Sequence, residues 1–266
     1  LFGAKIIYDI QENYYRNIIY TISYPALLKY PIALSVRTIE LVSSLFIDKF
    51  ILAEKVYLGQ MKYLSSKAEI IENRALIPDF VKNMEPSKNK NLVFVYSGTI
   101  AGHYGIFDAI DFIINLKAAI GHINFIIIGY TAQEKIYKRL QHLTEHLDYI
   151  KIIGGDRLVP HDQVLMEMQS ADFCLLPYQI NKSTEGRIPT KLFECLAMEK
   201  PVIISSNPAW NSIVLKNNAG IIHDFKEESH VFQHKLYAKY YGNHMSSHYI
   251  WENSSDKLLA TVQRVL

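Results

Sequence analysis

The sequence predicts an α/β protein, with a doubly wound parallel sheet over residues 92–247 and a partial α/β lobe over residues 1–77 ahead of it. From residue 91 onward, short β-branched runs alternate with longer stretches whose apolar residues recur at helical spacing, which is the pattern of βα units. Several of the runs are apolar almost throughout, as in Phe125-Ile126-Ile127-Ile128, and this suits parallel strands covered by helices on both faces. The chain is 49% hydrophobic and 20% charged over 266 residues, enough to bury one large core or two modest ones, and it excludes disorder, collagen and coiled coil.

In chain order, Lys5–Asp9 reads as a strand, Val36–Ile47 as an amphipathic helix, and Lys49–Ala53 and Glu69–Asn73 as two more strands. These amount to half a sheet. Residues 78–91 hold two prolines, several lysines and asparagines and little that is apolar, so they read as a linker. The strands that follow are Leu92–Ser97, Asn124–Gly129, Tyr149–Ile153, Asp172–Pro177, Pro201–Ser205 and Ala219–His223. Residues 248–266 place Ile250, Trp251, Leu258, Leu259, Val262, Val265 and Leu266 on one amphipathic face, as a helix that packs against the protein.

Lys and Arg total 28 against 26 Asp and Glu, a formal charge of +2, which gives no reason to expect nucleic acid as partner. The two cysteines, Cys174 and Cys195, have neither metal-ligand spacing nor the density of a disulfide scaffold, and a reducing, cytoplasmic setting fits them. Lys29, Pro31, Arg37 and Glu40 interrupt the most apolar stretch before it reaches the roughly 18 to 20 residues of a membrane span. The aromatic series Tyr14, Tyr15, Tyr20, Tyr24 and Tyr30 reads either as core packing or as a face toward a lipid-linked acceptor at a membrane surface.

Ligands of doubly wound sheets bind beyond the carboxyl ends of the strands, where helix N-termini gather. The run from Glu185 to Ala197 combines a turn, a helix start at Pro189-Thr190 and a cation at Lys191, the makings of a diphosphate cradle. Glu194 follows three residues later on a neighbouring position of the same helix face, where a carboxylate accepts both hydroxyl protons of a ribose. A plain surface ion pair at a helix start is the alternative. A second loop, Tyr96-Ser97-Gly98-Thr99-Ile100-Ala101-Gly102-His103-Tyr104-Gly105, allows close backbone approach to an anion. Its glycine spacing is not the dinucleotide fingerprint, and no acidic residue ends the next strand, so a nicotinamide cofactor is disfavoured.

Together these features resemble the retaining family-4 glycosyltransferases of the GT-B fold. The resemblance rests on Tyr96-Ser97-Gly98-Thr99, on Ile127-Ile128-Gly129, on Leu176-Pro177-Tyr178, on the Glu185–Glu194 run and on Lys200-Pro201-Val202-Ile203. It implies a Rossmann-like C-terminal domain that holds a nucleoside-diphosphate-sugar donor, with no metal and no other cofactor. Glu194 would take the ribose hydroxyls, Lys191 with the Gly98-Thr99 backbone the diphosphate, and Gly129, Tyr130, Val159 and Pro160 the base, with Pro189 and Thr190 opening the helix. Lys191, Arg187 and His103 would carry catalysis by steadying the leaving diphosphate. The acceptor, a glycan or lipid-linked precursor of a cell-surface polysaccharide, would face the N-terminal lobe, where Asp9-Ile10-Gln11-Glu12 resembles an Asp-x-His-Glu stretch with Gln11 replacing the His.

The resemblance is incomplete in three places. Many relatives carry Arg and Lys in the first loop, where this chain has Thr99 and Tyr104, so Arg187 and Lys191 are left to supply the charge. The usual pair of glutamates is spaced one residue wider here, Glu185 to Glu194, and the role goes to Glu194. Relatives also carry a complete N-terminal domain, of which these residues match the last part. A second copy, or another chain that supplies the rest, would then pair with the strand edge near Lys5–Asp9. Two rival readings stand beside transfer: a non-catalytic remnant that acts as a binding module, and a sugar-nucleotide epimerase on the same fold. His161 reads as part of a helix start, and Cys195 as a small packed residue.

Overall fold

The computed structural model describes residues 3–20, 24–84, 90–179, 181–182, 184–227, 229–242 and 246–266. The opening Leu1 and residues 85–89 of the predicted linker lie outside them. The chain divides into two compact units, one of residues Leu1–Arg74, Ile180–Ile188 and Trp251–Leu266, the other of Ala75–Gln179 and Pro189–Ile250.

The first unit is built on a parallel three-stranded sheet in the order β1 (Ile7–Ile10), β2 (Lys49–Leu52), β3 (Ala68–Ile70). Phe50 and Leu52 of β2 are buried with Ile10 against Tyr57, Met61 and Leu64. Two helices, α1 (Tyr14–Tyr20) and α2 (Ala26–Ser43), connect β1 to β2, and α3 (Lys55–Gln60) follows β2. The predicted helix at 36–47 thus begins ten residues earlier, at Ala26, and runs through Pro31. Proline removes one helical hydrogen bond, to the carbonyl of Leu27, and Leu27 is 92% exposed, so water can take the vacated place. At the other end the chain tightens into a turn, Phe46 N–H donating to Ser43.

The second unit carries a six-stranded parallel sheet. Its elements are α4 (Asp79–Lys82), β4 (Leu92–Thr99), α5 (Ile106–Ile120), β5 (Ile123–Tyr130), α6 (Glu134–Thr144), β6 (Ile150–Gly155), α7 (His161–Ser170), β7 (Phe173–Leu176), α8 (Thr190–Ala197), β8 (Val202–Ile204), α9 (Pro208–Lys216) and β9 (Gly220–Ile222). The strand order is β6-β5-β4-β7-β8-β9. The chain therefore winds outward from β4 to β6, then returns to the far side of β4, which makes the β4/β7 junction the point where winding reverses. Phe94, Tyr96, Phe125, Ile127, Leu175 and Ile203 from the strands, with Ile106, Ile110, Phe112 and Ile113 from α5, form the core.

Two predicted boundaries shift. The stretch read as a linker from residue 78 contains α4, whose Val81 is fully buried together with Ile77. Ile77 lies just ahead of that helix, before its N-cap Pro78, and the two compact units divide between Arg74 and Ala75. The predicted terminal helix also splits. Tyr249 accepts the Ala75 N–H at 3.0 Å and Ile250 bridges Ala75, within the second unit. Only α10 (Glu252–Val265) joins the first unit, where Arg264 reaches Glu69 of β3 at 3.1 Å and Lys257 donates to the Ile70 carbonyl at 2.7 Å. Burial alone would raise the Glu69 carboxyl, but hydrogen bonds from Thr261 and Arg264, with Lys49 nearby, hold it below the usual carboxylate range. Among the described residues, no helix is long and apolar enough to cross a membrane.

Candidate functional site

The carboxyl ends of β4 and β5 set the geometry of the second unit's site. Gly98, Gly129 and Gly154 pair across β4, β5 and β6 in one row. Gly129 has φ of 155°, and a Cβ there would lie 1.7 Å from the Gly98 carbonyl oxygen, so the strand ends close together only because that position lacks a side chain. Past the row, Ile100 N–H donates to Tyr130 at 2.8 Å and the Tyr96 hydroxyl to the Thr99 carbonyl at 2.8 Å, which fix the Gly98-Thr99 loop. Val159 lies against Gly154, and Pro160 opens α7.

Helix α8 brings the charges to this row. Leu192, Phe193, Cys195 and Leu196 of this helix are buried, and Glu194 is buried with them, only 3% exposed. A lone buried carboxylate would be costly. Here Lys191 Nζ donates to Glu194 Oε2 at 3.0 Å, and His161 Nε2, on the first residue of α7, lies 3.4 Å from Oε1. The Lys191 stem in turn runs over Gly98, where an added Cβ would meet its Cε at 3.1 Å. Pro189 precedes the helix with no side-chain cap, which leaves the N–H groups of the Thr190 turn directed outward. Burial holds the His103 ring below the usual histidine range, and that ring stands 4.2 Å from Tyr104.

Of the residues singled out in the sequence, the second unit holds Gly98, Thr99, Gly129, Tyr130, Val159, Pro160, Pro189, Thr190, Lys191, Glu194 and His103. Arg187 is a member of the other unit, where its Nη2 lies 3.5 Å from Glu12 Oε1. His161 was read as part of a helix start, and it is that, but it also faces Glu194; only the packing of α7 beside α8 reveals the pairing. Glu54 was not singled out. It stands just past the carboxyl end of β2, its Oε2 accepts the Ile188 N–H at 3.1 Å, and burial pushes its carboxyl up to about 7 against the pull of that bond and of Arg187. Its position at a strand end is the signal that could have found it. No cluster of His, Cys, Asp and Glu suited to a metal ion occurs among the described residues.

The family model described as glycosyl transferases group 1 matches residues 79–238, more than half of the 266. No curated protein sequence matches the chain. Among solved structures, sucrose-phosphate synthase from Thermosynechococcus elongatus aligns at 14% identity and a TM-score of 0.67, over 99% of this chain and 68% of that one. HepE of Anabaena, solved in complex with UDP-glucose, aligns at 12% identity and 0.67, over 98% of this chain and 72% of that one. The pneumococcal O-GlcNAc transferase GtfA, solved with UDP and GlcNAc, aligns at 15% identity and 0.59, over 85% of this chain and 47% of that one. At these identities the likeness establishes the fold, that of GT-B glycosyltransferases.

Proposed function

The chain belongs to the group 1 glycosyl transferases, and on that premise we propose that its second unit holds a nucleoside-diphosphate sugar whose sugar is transferred to a glycan or lipid-linked acceptor. The observation that carries this reading is the buried Glu194 carboxylate beside Lys191, at the strand ends where nucleotides bind in such sheets. Glu194 takes the ribose hydroxyls. Lys191, the outward N–H groups at the head of α8 and the Gly98-Thr99 backbone take the diphosphate. Gly129, Tyr130, Val159 and Pro160 line the place of the base.

Transfer breaks the bond from the sugar's anomeric carbon to the diphosphate oxygen and forms one from that carbon to an acceptor hydroxyl oxygen. The hydroxyl proton leaves with the diphosphate. Charge grows on that leaving oxygen, so steadying it is the protein's main task, which Lys191 performs as a cation and His103 assists as a hydrogen-bond donor. Calorimetry with UDP and with uridine tests the cradle. Binding of UDP well above uridine, with the preference flattened in Lys191→Ala, is the expected result; equal binding of the two by the unaltered protein overturns it. UDP binding without turnover of any donor would favour the non-catalytic binding module.

A further inference from the structure

The turn Thr184–Ile188 is fastened within the first unit from several sides. Arg187 N–H donates back to the Thr184 carbonyl at 3.1 Å and closes the turn. Gly186 has φ of 76°, and a Cβ there would lie 2.8 Å from Val56 Cγ2, so the turn rests directly on α3. Arg187 reaches Glu12, and Ile188 N–H reaches Glu54. Glu54 holds the N-cap position of α3 yet makes no cap bond to its own helix. Its carboxylate serves a residue 134 positions away instead. The charged and titratable groups around it are Arg187 on the turn, Glu72 after β3, Tyr57 on α3 and Glu12 after β1.

We propose that Glu54 is a positioning residue: by accepting the Ile188 N–H it clasps the turn Thr184–Ile188 to the first unit and so fixes where Arg187 stands. Its consequence for turnover rests on the reading of Arg187 given above; the clasp itself does not. A glutamine at this position keeps an oxygen for the N–H, whereas an alanine leaves it without that partner.

Amide hydrogen exchange at Ile188, measured on the full chain without nucleotide and corrected for the intrinsic rate, reads the clasp directly. The expected result is protection at Ile188 in the unaltered protein, largely kept in Glu54→Gln and lost by about ten-fold or more in Glu54→Ala. With UDP-glucose as donor, kcat should fall in Glu54→Ala and recover in Glu54→Gln. Ile188 protection that is equal in all three proteins overturns the proposal. The exchange pattern in a protein that turns over no donor would leave the clasp standing and sink the reading of Arg187.

Discussion

Lys191 Nζ lies 3.0 Å from Glu194 Oε2, and that carboxylate is almost wholly shielded from water. One helix thus carries a cation at its mouth and, one turn further in, a buried acceptor that a ribose can use. Glu194→Ala removes charged hydrogen bonds worth roughly 1.5 to 3 kcal/mol. UDP affinity should fall by about ten-fold or more. Calorimetry on a folded Glu194→Ala protein decides it, and unchanged affinity would remove Glu194 from the site.

His161 faces the other oxygen of the same carboxylate, but its side chain is 57% exposed. Pairs so open to solvent contribute about 0 to 1 kcal/mol. His161→Ala should therefore change UDP affinity by about five-fold at most, in contrast to Glu194→Ala. A loss as large as that of the glutamate would mean that the histidine touches the nucleotide itself.

What the sequence disclosed and what it hid follow from the range of the interactions. The strands of the second unit are apolar runs bounded by breakers, a local signal, and each appears within a residue or two of its predicted bounds; β4, β5 and β6 run slightly longer because the glycines at their ends pair with one another. The Lys191 to Glu194 pairing is likewise local, three residues on one helix. His161 beside Glu194 and Glu54 beneath Ile188 are pairings between distant segments, and no spacing announces them. Helix α2 was read only from Val36, but it begins at Ala26 and runs through Pro31, whose lost bond falls at an exposed first turn. The stretch read as a linker holds one short helix, α4, whose buried Val81 lies in a predominantly polar run.

Gly98 and Gly129 pair with each other, yet their substitutions should separate stability from binding. An alanine at Gly129 would drive its Cβ into the Gly98 backbone, which cannot yield without parting the strands. A loss on the order of 3 kcal/mol or more is expected. At Gly98 the φ of 104° costs on the order of 1 to 2 kcal/mol, and the Cβ meets only the flexible stem of Lys191. Gly98→Ala should fold, melt a few degrees lower and bind UDP more weakly because the ammonium is displaced. Thermal melts and calorimetry on both variants check this; a Gly98→Ala protein with unaltered UDP affinity would place Lys191 away from the diphosphate.

Glu54 should leave a signature in global stability with a definite sign. Its carboxyl ionises near 4.5 in the unfolded chain and near 7 in the folded one, so the folded state holds the proton more tightly. A raised pKa contributes stability that is fully present below about pH 4.5 and is lost as pH climbs through about 7. The loss is bounded by 1.36 kcal/mol per pKa unit, on the order of 3 kcal/mol in all. Glu54→Gln stays neutral across that window and keeps an oxygen for the Ile188 N–H. The difference between the two proteins should therefore be small at pH 5 and grow in favour of the glutamine variant by pH 8. Other groups titrate equally in both and cancel. Urea unfolding of the pair at the two pH values measures it, and a difference that does not change with pH would show that Glu54 titrates as an ordinary solvated carboxylate.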